Sequence, residues 1–378
     1  MSFKPFVVLC CAFVWAVAAQ ATAPSNGSSG AAKPSTASKS AGKAAPARTG
    51  SRTSAKASPA KAATRYGTRD DVRVYAAELA RDTGLSQRDV ERWLAAAKFQ
   101  PRIVELMDRP LLEPPKWFAY SAPFLAQARV DAGVQFWRDN ARALERAEAT
   151  YGVPPEIVVA IIGVETFYGR YTGSHRVIDA LATLAFDYPR RGPFFRGELK
   201  EFLLLARDQD FSPLVPKGSY AGAMGLPQFM PGSYRRFAVD FDGDGHADLW
   251  RNPTDVIGSV AHYLARHDWQ RGQPVLAAAT VSNDGQAIAL RRLDGGISER
   301  RPLAAWQADG VDLRDAAGGP VPEPVGLLLL EEGAGGATSL WIAYPNFYVI
   351  TRYNKSRLYA AAVWALGERL RAQYLASR

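Results

Sequence analysis

The chain has 378 residues, enough for one large domain or two modest ones, and a formal net charge of +9. Residues 1–65 contain nine Lys or Arg and no acid, which leaves 37 basic and 37 acidic side chains in the remainder. The excess charge therefore belongs to an N-terminal segment, and the neutral remainder argues against a nucleic-acid-binding or membrane-binding surface.

Residues 1–23 have the pattern of a secretory signal peptide. Lys4 precedes an apolar run of about 14 residues, and small residues in A-x-A spacing follow it. The run is too short to cross a membrane, so a membrane anchor is the less favoured interpretation. Cys10 and Cys11 lie too early in the run for lipid attachment and would leave with the signal. We therefore expect an exported, soluble, periplasmic protein without disulfides or thiolate chemistry.

Residues 24–65 are predicted to be a disordered basic linker. Ala, Ser, Lys, Pro, Gly and Thr dominate this segment, and such a composition cannot bury enough apolar surface to offset the entropy of ordering. The linker serves as a spacer in the simplest interpretation. Electrostatic attraction to an anionic envelope polymer is the alternative.

From residue 66 onward the pattern becomes mainly helical. Gly84 separates two helices, and Ser86 is the expected cap of the second. Further helices are predicted over 125–150, 154–168, 197–208, 228–238, 254–267 and 356–373. The stretch 271–340 instead contains short apolar runs separated by "NDG", "LDGG", "ADG" and "AAGGP", which indicate turns between strands. The sequence thus predicts an α+β, mainly α fold: a helical part over 66–270, a small inserted β subdomain over 271–340, and a segment over 341–378 that returns to the helical part.

A carboxylate interrupts the apolar stretch "EIVVAIIGVETFYGRYTG". Pro154 and Pro155 suit the start of a helix, Gly169 suits its end, and Ile161 and Tyr168 would share one face. Glu165 would then have apolar neighbours on both sides, at the inner edge of a cleft. Desolvation raises the pKa of a carboxyl group, and a protonated acid near neutral pH is what protonation of a glycosidic oxygen requires.

A buried salt bridge is the alternative role for Glu165. The candidate partners are Arg170, Arg190 and Arg191. Glycosidases usually use two carboxylates, but Asp179 and Asp187 fit ordinary helix or turn roles better. Either Glu165 works alone or its partner comes from elsewhere in the fold.

The loop "DFDGDGHADLWR" has the spacing of an EF-hand calcium site. Its predicted ligands are Asp240, Asp242, Asp244, the carbonyl of His246 and Asp248. Arg251 occupies the place of the usual bidentate acid, so Asn252 or Asp255 would have to complete a structural calcium site. A metal-free Asp/Gly turn is the alternative. The four histidines, His175, His246, His262 and His267, lack tight zinc spacing, which argues against a zinc hydrolase.

Three further stretches, "YPRRGPFF", "GSYAGAMGLPQFMPGSY" and "YPNFYVITRYNKSRLY", supply groups that stack on sugars and bond their hydroxyl and acetamido groups. Core packing explains many of the aromatic residues equally well. Gly218, Gly222 and Gly225 suggest that the backbone approaches a ligand or another helix closely.

These motifs resemble those of the lytic murein transglycosylase B family, glycoside hydrolase family 103. The resemblance runs in order from about residue 70 to 375 and also includes "VPPEIVVAIIGVETFYGR", "DALATLAFDYPRR", "IGSVAHYL" and "NFYVITRYNKSRLYAAAVWALG". The resemblance implies a lysozyme-like helical catalytic domain with a small β domain. It also implies cleavage of the β-1,4 bond between N-acetylmuramic acid and N-acetylglucosamine in peptidoglycan without water. Glu165 would be general acid and then general base, and the muramyl 6-hydroxyl would form a 1,6-anhydro product.

The same resemblance assigns substrate contacts to Tyr120, Arg190, Arg191, Phe194, Ser219, Gln228, Tyr263, Tyr353, Asn354 and Tyr359. Phe194 lacks a hydroxyl that is often present at its position, Pro227 replaces a common glycine, and Arg251 is the largest departure in the metal loop. A hydrolytic muramidase and an inactive peptidoglycan-binding scaffold remain alternatives. The expected partners are glycan strands and other cell-wall enzymes, with no nucleic acid, and no cofactor is expected for catalysis.

Overall fold

The computed structural model describes residues 65–109, 115–279, 281, 283–309, 311 and 322–377. The predicted signal peptide and residues 24–64 of the predicted linker lie outside the described residues. Arg65, predicted as the last linker residue, belongs to the folded part, because its guanidinium forms an ion pair with Asp187 at 2.6 Å.

Fifteen helices are found in the described residues. Their bounds are α1 Asp70–Thr83, α2 Gln87–Ala95, α3 Pro101–Met107, α4 Trp117–Ser121, α5 Gln127–Asp139, α6 Ala141–Tyr151, α7 Pro155–Thr166, α8 Val177–Asp187, α9 Gly192–Asp208, α10 Pro231–Phe237, α11 Pro253–Ala265, α12 Asn283–Arg291, α13 Leu303–Ala308, α14 Pro345–Tyr353 and α15 Arg357–Ala376. The predicted breaks between α1 and α2 are present: Gly84 takes a left-handed conformation, and the Ser86 side chain accepts a hydrogen bond from the Asp89 backbone.

Several predicted helices differ from the structure in their bounds, and α9 begins at Gly192 instead of residue 197. The single helix predicted over 125–150 is wrong, because the chain breaks at Asn140, whose side-chain amide donates to the Phe136 carbonyl at 2.8 Å. The helix predicted over 228–238 begins later, at Pro231. Proline is favoured in the first turn, where its missing N–H has no helical partner to lose.

Two small antiparallel sheets accompany the helices. The first pairs β1 His175–Arg176 with β2 Lys217–Gly218. The second has the strand order β3-β7-β6-β5-β4, from β3 Leu276–Ala278, β4 Leu293–Asp294, β5 Ile297–Ser298, β6 Gly326–Glu331 and β7 Thr338–Ala343. The predicted β subdomain is therefore present, but it extends to Ala343 and also contains α12 and α13. The "NDG" expected to form a turn instead begins α12.

The core of the helical part is organised around α7. This helix packs against α5, α6, α11 and α15, so every side chain from Ile157 to Thr166 is buried. A helix that is apolar on all sides has no face suited to water, which explains its central position. The β subdomain has a smaller core of its own around Trp306, Leu327 and Tyr344.

Candidate active site

Glu165 lies in the last turn of the central helix and is 7% exposed. The Tyr359 hydroxyl, on the neighbouring helix α15, donates a hydrogen bond to Glu165 Oε1 at 2.6 Å. Since α15 packs along α7, the two groups are held by neighbouring helices of the core. Glu165 is thus a buried carboxyl group whose orientation is fixed by a phenol.

The chain turns sharply just after this carboxylate. The helix ends at Thr166, and Phe167 and Tyr168 both take positive φ angles, 53° and 57°. The prediction that Gly169 ends the helix was therefore wrong by three residues, and Tyr168 does not continue the face of Ile161. Buried Arg129 donates to the Gly163 carbonyl and lies 4.5 Å from the Phe167 ring centroid, so a cation occupies the C-terminal end of the helix.

A cleft opens above Glu165, with about 800 Å³ of space including the solvent at its mouth. The residues lining it are Met107, Glu165, Arg191, Phe194, Phe195, Ser219, Ala221, Ala223, Gln228, Phe229, Met230, Ser233, Tyr263, Arg352, Tyr353 and Asn354. Segments from five separate parts of the chain therefore converge on one buried carboxylate.

The structure brings together most of the residues expected to contact substrate. Arg191, Phe194, Ser219, Gln228, Tyr263, Tyr353 and Asn354 all line the cleft with Glu165. Three others lie elsewhere. Tyr359 is 2% exposed and bonds Glu165 itself, Tyr120 packs 5.4 Å from Phe124, and Arg190 points outward with a 3.6 Å ion pair to Asp108.

The loop at 224–229 shows how the chain accommodates Pro227. An antiparallel bridge joins Met224 to Phe229, and Gln228 takes a positive φ of 52° directly after the proline. Proline followed by a residue of positive φ is the arrangement of a type II turn, which makes proline compatible with the tight loop. The Gln228 amide donates to the Gly225 carbonyl at 2.9 Å, and Tyr353 donates to the Pro227 carbonyl at 2.6 Å.

The glycines of this region admit close contacts within the protein. A Cβ at Gly218 would lie 2.1 Å from the Ala223 carbonyl oxygen, and one at Gly225 would lie 2.4 Å from the Leu249 carbonyl oxygen. The Ser219 hydroxyl accepts hydrogen bonds from the Ala221 and Ala223 backbones. Neither of these neighbours belongs to a helix; of the predicted glycines, Gly222 is the one that approaches another helix, with a Cβ there 2.5 Å from the Leu181 side chain of α8.

The three arginines proposed as salt-bridge partners of Glu165 have other neighbours. Arg170 lies 5.1 Å from the Phe167 ring centroid and Arg191 4.3 Å from that of Phe194, while Arg190 faces Asp108. Burial lowers the pKa of Arg191. The Tyr359 hydroxyl is a hydrogen-bond partner that the structure does give Glu165.

Asp179 and Asp187 have the structural roles expected of them. Asp179 forms a 2.6 Å ion pair with Arg176 and accepts the Lys98 backbone N–H, and Asp187 receives hydrogen bonds from Tyr66 and Arg69. Neither lines the cleft.

Sequence reasoning missed several cleft residues. Phe195, Phe229, Met230, Ser233 and Arg352 lie within or beside the quoted motifs, but their side chains had no feature that separated them from core residues. Met107 comes from an earlier helix that no motif marked.

Comparison with known proteins agrees with this geometry. The family model "Transglycosylase SLT domain" matches residues 68–368. The chain belongs to this family. The transglycosylase is 42% identical over 312 residues to the membrane-bound lytic murein transglycosylase B of Escherichia coli K12, covering 80% of this chain and 83% of that protein.

Two solved structures of lytic transglycosylases have the same fold. Escherichia coli Slt35 in complex with calcium is 40% identical with a TM-score of 0.72, covering 82% of this chain and 95% of that one. Pseudomonas aeruginosa SltB3 in complex with NAG-NAM-pentapeptide is 32% identical with a TM-score of 0.67, covering 80% of this chain and 79% of that one. The predictions of the family and of a lysozyme-like, mainly helical fold with a small β part are confirmed.

The metal loop of this transglycosylase brings three carboxylates together. Oxygens of Asp240, Asp242 and Asp244 lie within 4.8 Å of one another, all exposed. Backbone N–H groups, foremost that of Gly245, lower the pKa of Asp240, and Gly245 itself has a φ of 97°. Three convergent carboxylates are a donor set that suits a hard divalent cation.

The rest of the predicted ligand set has other functions in the loop. Asp248 accepts the Trp250 backbone N–H at 2.8 Å. Asn252 Oδ1 caps α11, and its amide donates to Asp242 at 2.7 Å. Buried Asp255 accepts three N–H groups of the loop, from Phe241, Asp242 and Asp248, and burial raises its pKa. These residues hold the loop in shape around the three carboxylates.

In the part of the transglycosylase that the structure describes, no single helix has the length and apolar composition needed to cross a membrane. Helices α6 and α7 meet both criteria only as a pair, with a bend of 114° between them.

Proposed function

We propose that this transglycosylase cleaves the β-1,4 bond between N-acetylmuramic acid and N-acetylglucosamine in peptidoglycan and forms a 1,6-anhydro end. The observation that carries the proposal is the position of Glu165, which is the one carboxylate among the described residues that line the cleft and is oriented by Tyr359. The identity to lytic murein transglycosylase B and the NAG-NAM-pentapeptide bound to a relative support the choice of substrate.

In the first step Glu165 acts as general acid. Its carboxyl proton passes to the glycosidic oxygen, the bond from the muramyl anomeric carbon to that oxygen breaks, and the N-acetylglucosamine hydroxyl leaves. The positive charge left on the muramyl ring is stabilised by its own 2-acetamido group. The buried setting of Glu165 keeps bulk water away from this charge.

In the second step the same residue acts as general base. The Glu165 carboxylate removes the proton from the muramyl 6-hydroxyl. The oxygen of that hydroxyl attacks the anomeric carbon and closes the anhydro ring. The proton returns Glu165 to its starting state, so no water is consumed. One carboxylate suffices because the substrate supplies the nucleophile, which is consistent with a single acid among the described residues of the cleft.

The groups around Glu165 provide the means to hold the sugars. Phe194 offers a ring for stacking, with the Arg191 guanidinium on its face. Ser219, Gln228 and Asn354 supply hydroxyl and amide groups for the hydroxyl and acetamido substituents, and Tyr263 and Tyr353 form the facing aromatic wall.

Replacement of Glu165 by Gln tests the proposal. Glu165→Gln keeps the shape of the side chain but cannot donate and retrieve a proton, so we expect release of anhydro-muropeptides from sacculi to fall by at least about 1,000-fold. Glu156→Gln, at the other end of the same helix, is the matched control and should keep wild-type release. Mass spectrometry of the products identifies the anhydro ends.

Three results would contradict the proposal. Products heavier by one water would identify a hydrolytic muramidase, and binding of wild-type protein to sacculi without any product would identify a scaffold. Substantial release of anhydro-muropeptides by a folded Glu165→Gln variant would show that Glu165 is not the acid and base.

A structural calcium ion is also part of the proposal. Asp240, Asp242 and Asp244 would hold it, with the His246 carbonyl at the next position of the loop, and the calcium complex of the relative Slt35 supports this choice. The ion would neutralise the three exposed carboxylates and rigidify the connection from α10 to α11. It has no part in the bond cleavage.

The place of action proposed here is the periplasm. The signal-like segment 1–23 and a peptidoglycan substrate support export. The basic segment that follows, with eight Lys or Arg between residues 24 and 65, would act as a spacer.

A further inference from the structure

Arg352 is a cleft residue that the mechanism above does not use. It lies in the last turn of α14, exposed, immediately before Tyr353 and Asn354, and it lines the same cleft as Glu165. The Tyr263 hydroxyl donates to the Arg352 carbonyl at 2.7 Å, and the Tyr263 ring centroid lies 4.9 Å from that of Tyr353. The backbone of Arg352 is therefore anchored, so its side chain starts from a fixed point on the wall.

The guanidinium of Arg352 has no hydrogen bond, ion pair or ring contact with any other described residue. Arg191, the other cation lining the cleft, differs because its guanidinium packs against the Phe194 ring. A guanidinium carries five N–H donors in a planar fork that matches the two oxygens of a carboxylate. Arg352 thus presents an unused carboxylate-binding group to the cleft.

The charges around Arg352 favour an anionic ligand. Among the described residues that line the cleft, Arg191 and Arg352 are basic and Glu165 is the one acid. A donor fork for a carboxylate on this wall therefore suits an anionic group of the substrate.

We propose that Arg352 determines specificity for the peptide stem by binding one of its carboxylates. This inference rests on the proposed function, because it assumes a peptidoglycan substrate. In that substrate the lactyl group of muramic acid is joined to the peptide through an amide, so the glycan itself is neutral. The carboxylates all belong to the peptide stem. A cation in this cleft that binds an anionic group of the substrate therefore binds the stem.

This role predicts a particular kinetic signature. The stem is remote from the bond that breaks, so its contact with Arg352 has the same strength in the ground state and the transition state. Loss of such a contact raises KM and leaves kcat unchanged. Loss of an acid, base or orienting group would lower kcat instead.

The experiment compares two forms of one substrate. Uncrosslinked glycan strands with stem peptides are used as they are and after carbodiimide and ammonia have converted their carboxylates into amides. We expect amidation to raise the KM of the wild-type enzyme about tenfold, because it removes a charge-assisted hydrogen bond that is partly exposed to solvent. Arg352→Gln should show the same increase on native strands and no further increase on amidated strands, whereas Arg352→Lys should fall between them.

The control variant is Arg142→Gln, which removes an exposed arginine on α6 that does not line the cleft. It should behave as wild type on both substrates. Equal KM values of wild type and Arg352→Gln on native strands, or a loss confined to kcat, would overturn the role proposed for Arg352. Absence of anhydro products from the wild-type enzyme on both substrates would overturn the proposed function instead.

Discussion

Glu165 owes its position to residues that are far apart in the chain. The apolar sequence of α7 buries the helix, Arg129 on α5 binds its C-terminal end, and Tyr359 on α15 orients the carboxyl group. Two bulky residues, Phe167 and Tyr168, adopt left-handed backbone conformations immediately afterwards. Such conformations are costly for aromatic residues and occur mainly where a functional site requires them.

Tyr359→Phe tests whether the phenol orients the acid. The ring and its packing remain, while the 2.6 Å hydrogen bond to Glu165 is lost. A hydrogen bond to a charged group contributes roughly 1.5–3 kcal/mol, so we expect kcat for anhydro product to fall about 10- to 100-fold with little change in KM. Steady-state kinetics on soluble glycan strands measure both quantities.

Tyr75→Phe is the matched control for this substitution. Tyr75 is also buried and donates to a backbone carbonyl, that of Arg196 at 2.9 Å, but it lies outside the cleft. Its kcat should equal that of wild type. An increase in KM alone for Tyr359→Phe would instead support the direct substrate contact predicted from the sequence.

At the scale of elements, local signals predicted some boundaries and missed those set by tertiary contacts. The Ser86 cap, the break at Gly84 and the prolines at the start of α7 follow from backbone chemistry of a few neighbouring residues. The end of α7 at Thr166 does not, because the Thr166 hydroxyl donates to the Leu226 carbonyl, 60 residues away. The local sequence pattern does not identify a hydrogen-bond partner so far away in the chain.

Glu198 joins two elements that border the cleft. It lies on α9, and its carboxylate accepts the Gly232 backbone N–H in the first turn of α10 at 2.8 Å. Burial raises the pKa of Glu198. The folded state therefore retains a proton that the unfolded state loses near pH 4.3, and the contribution of Glu198 to stability declines as pH rises from about 4.3 to the higher folded pKa.

Glu198→Gln removes this pH dependence, since Gln keeps an acceptor for Gly232 and does not ionise. We expect the Tm of the variant relative to wild type to increase between pH 4 and pH 7, measured by circular dichroism melts in one buffer series. Glu105→Gln, an exposed carboxylate on α3, should give the same Tm difference at both pH values. A constant difference for Glu198→Gln would show that ionisation of this residue does not affect folding.

At the scale of the whole molecule, the β subdomain is attached to the helix that orients the acid. Arg357, the first residue of α15, donates to the carbonyls of Gly295 and Leu329 and lies 3.4 Å from Glu331. Tyr359 follows two residues later. The turn signals in the sequence predicted a β subdomain, but α12, α13 and this attachment depend on contacts between distant residues and were not predictable from spacing.

The metal loop has its own consequence for the stability of the whole molecule, because it leads into α11, which packs against α6, α7 and α14. A cation that binds only the folded state stabilises it by an amount set by its concentration relative to Kd. At about 10 mM CaCl₂ and a Kd of roughly 0.1–1 mM, typical of extracellular sites, the gain is about 1.4–2.7 kcal/mol, or a Tm increase of a few degrees. Thermal melts with CaCl₂ and MgCl₂ at equal ionic strength measure it.

The variant Asp242→Asn/Asp244→Asn separates this effect from salt. Each Asn keeps the side-chain oxygen that accepts a loop N–H, from Asp244 and His246 respectively, but two of the three converging charges are gone. The variant should lose the calcium-dependent increase in Tm. Without metal, relief of the repulsion among the carboxylates is opposed by loss of the hydrogen bond from the Asn252 amide to Asp242. An equal calcium response in wild type and variant would place the ion elsewhere. No response in either would leave the loop as a metal-free turn, in which Asp255 and the backbone N–H groups are sufficient to hold its shape.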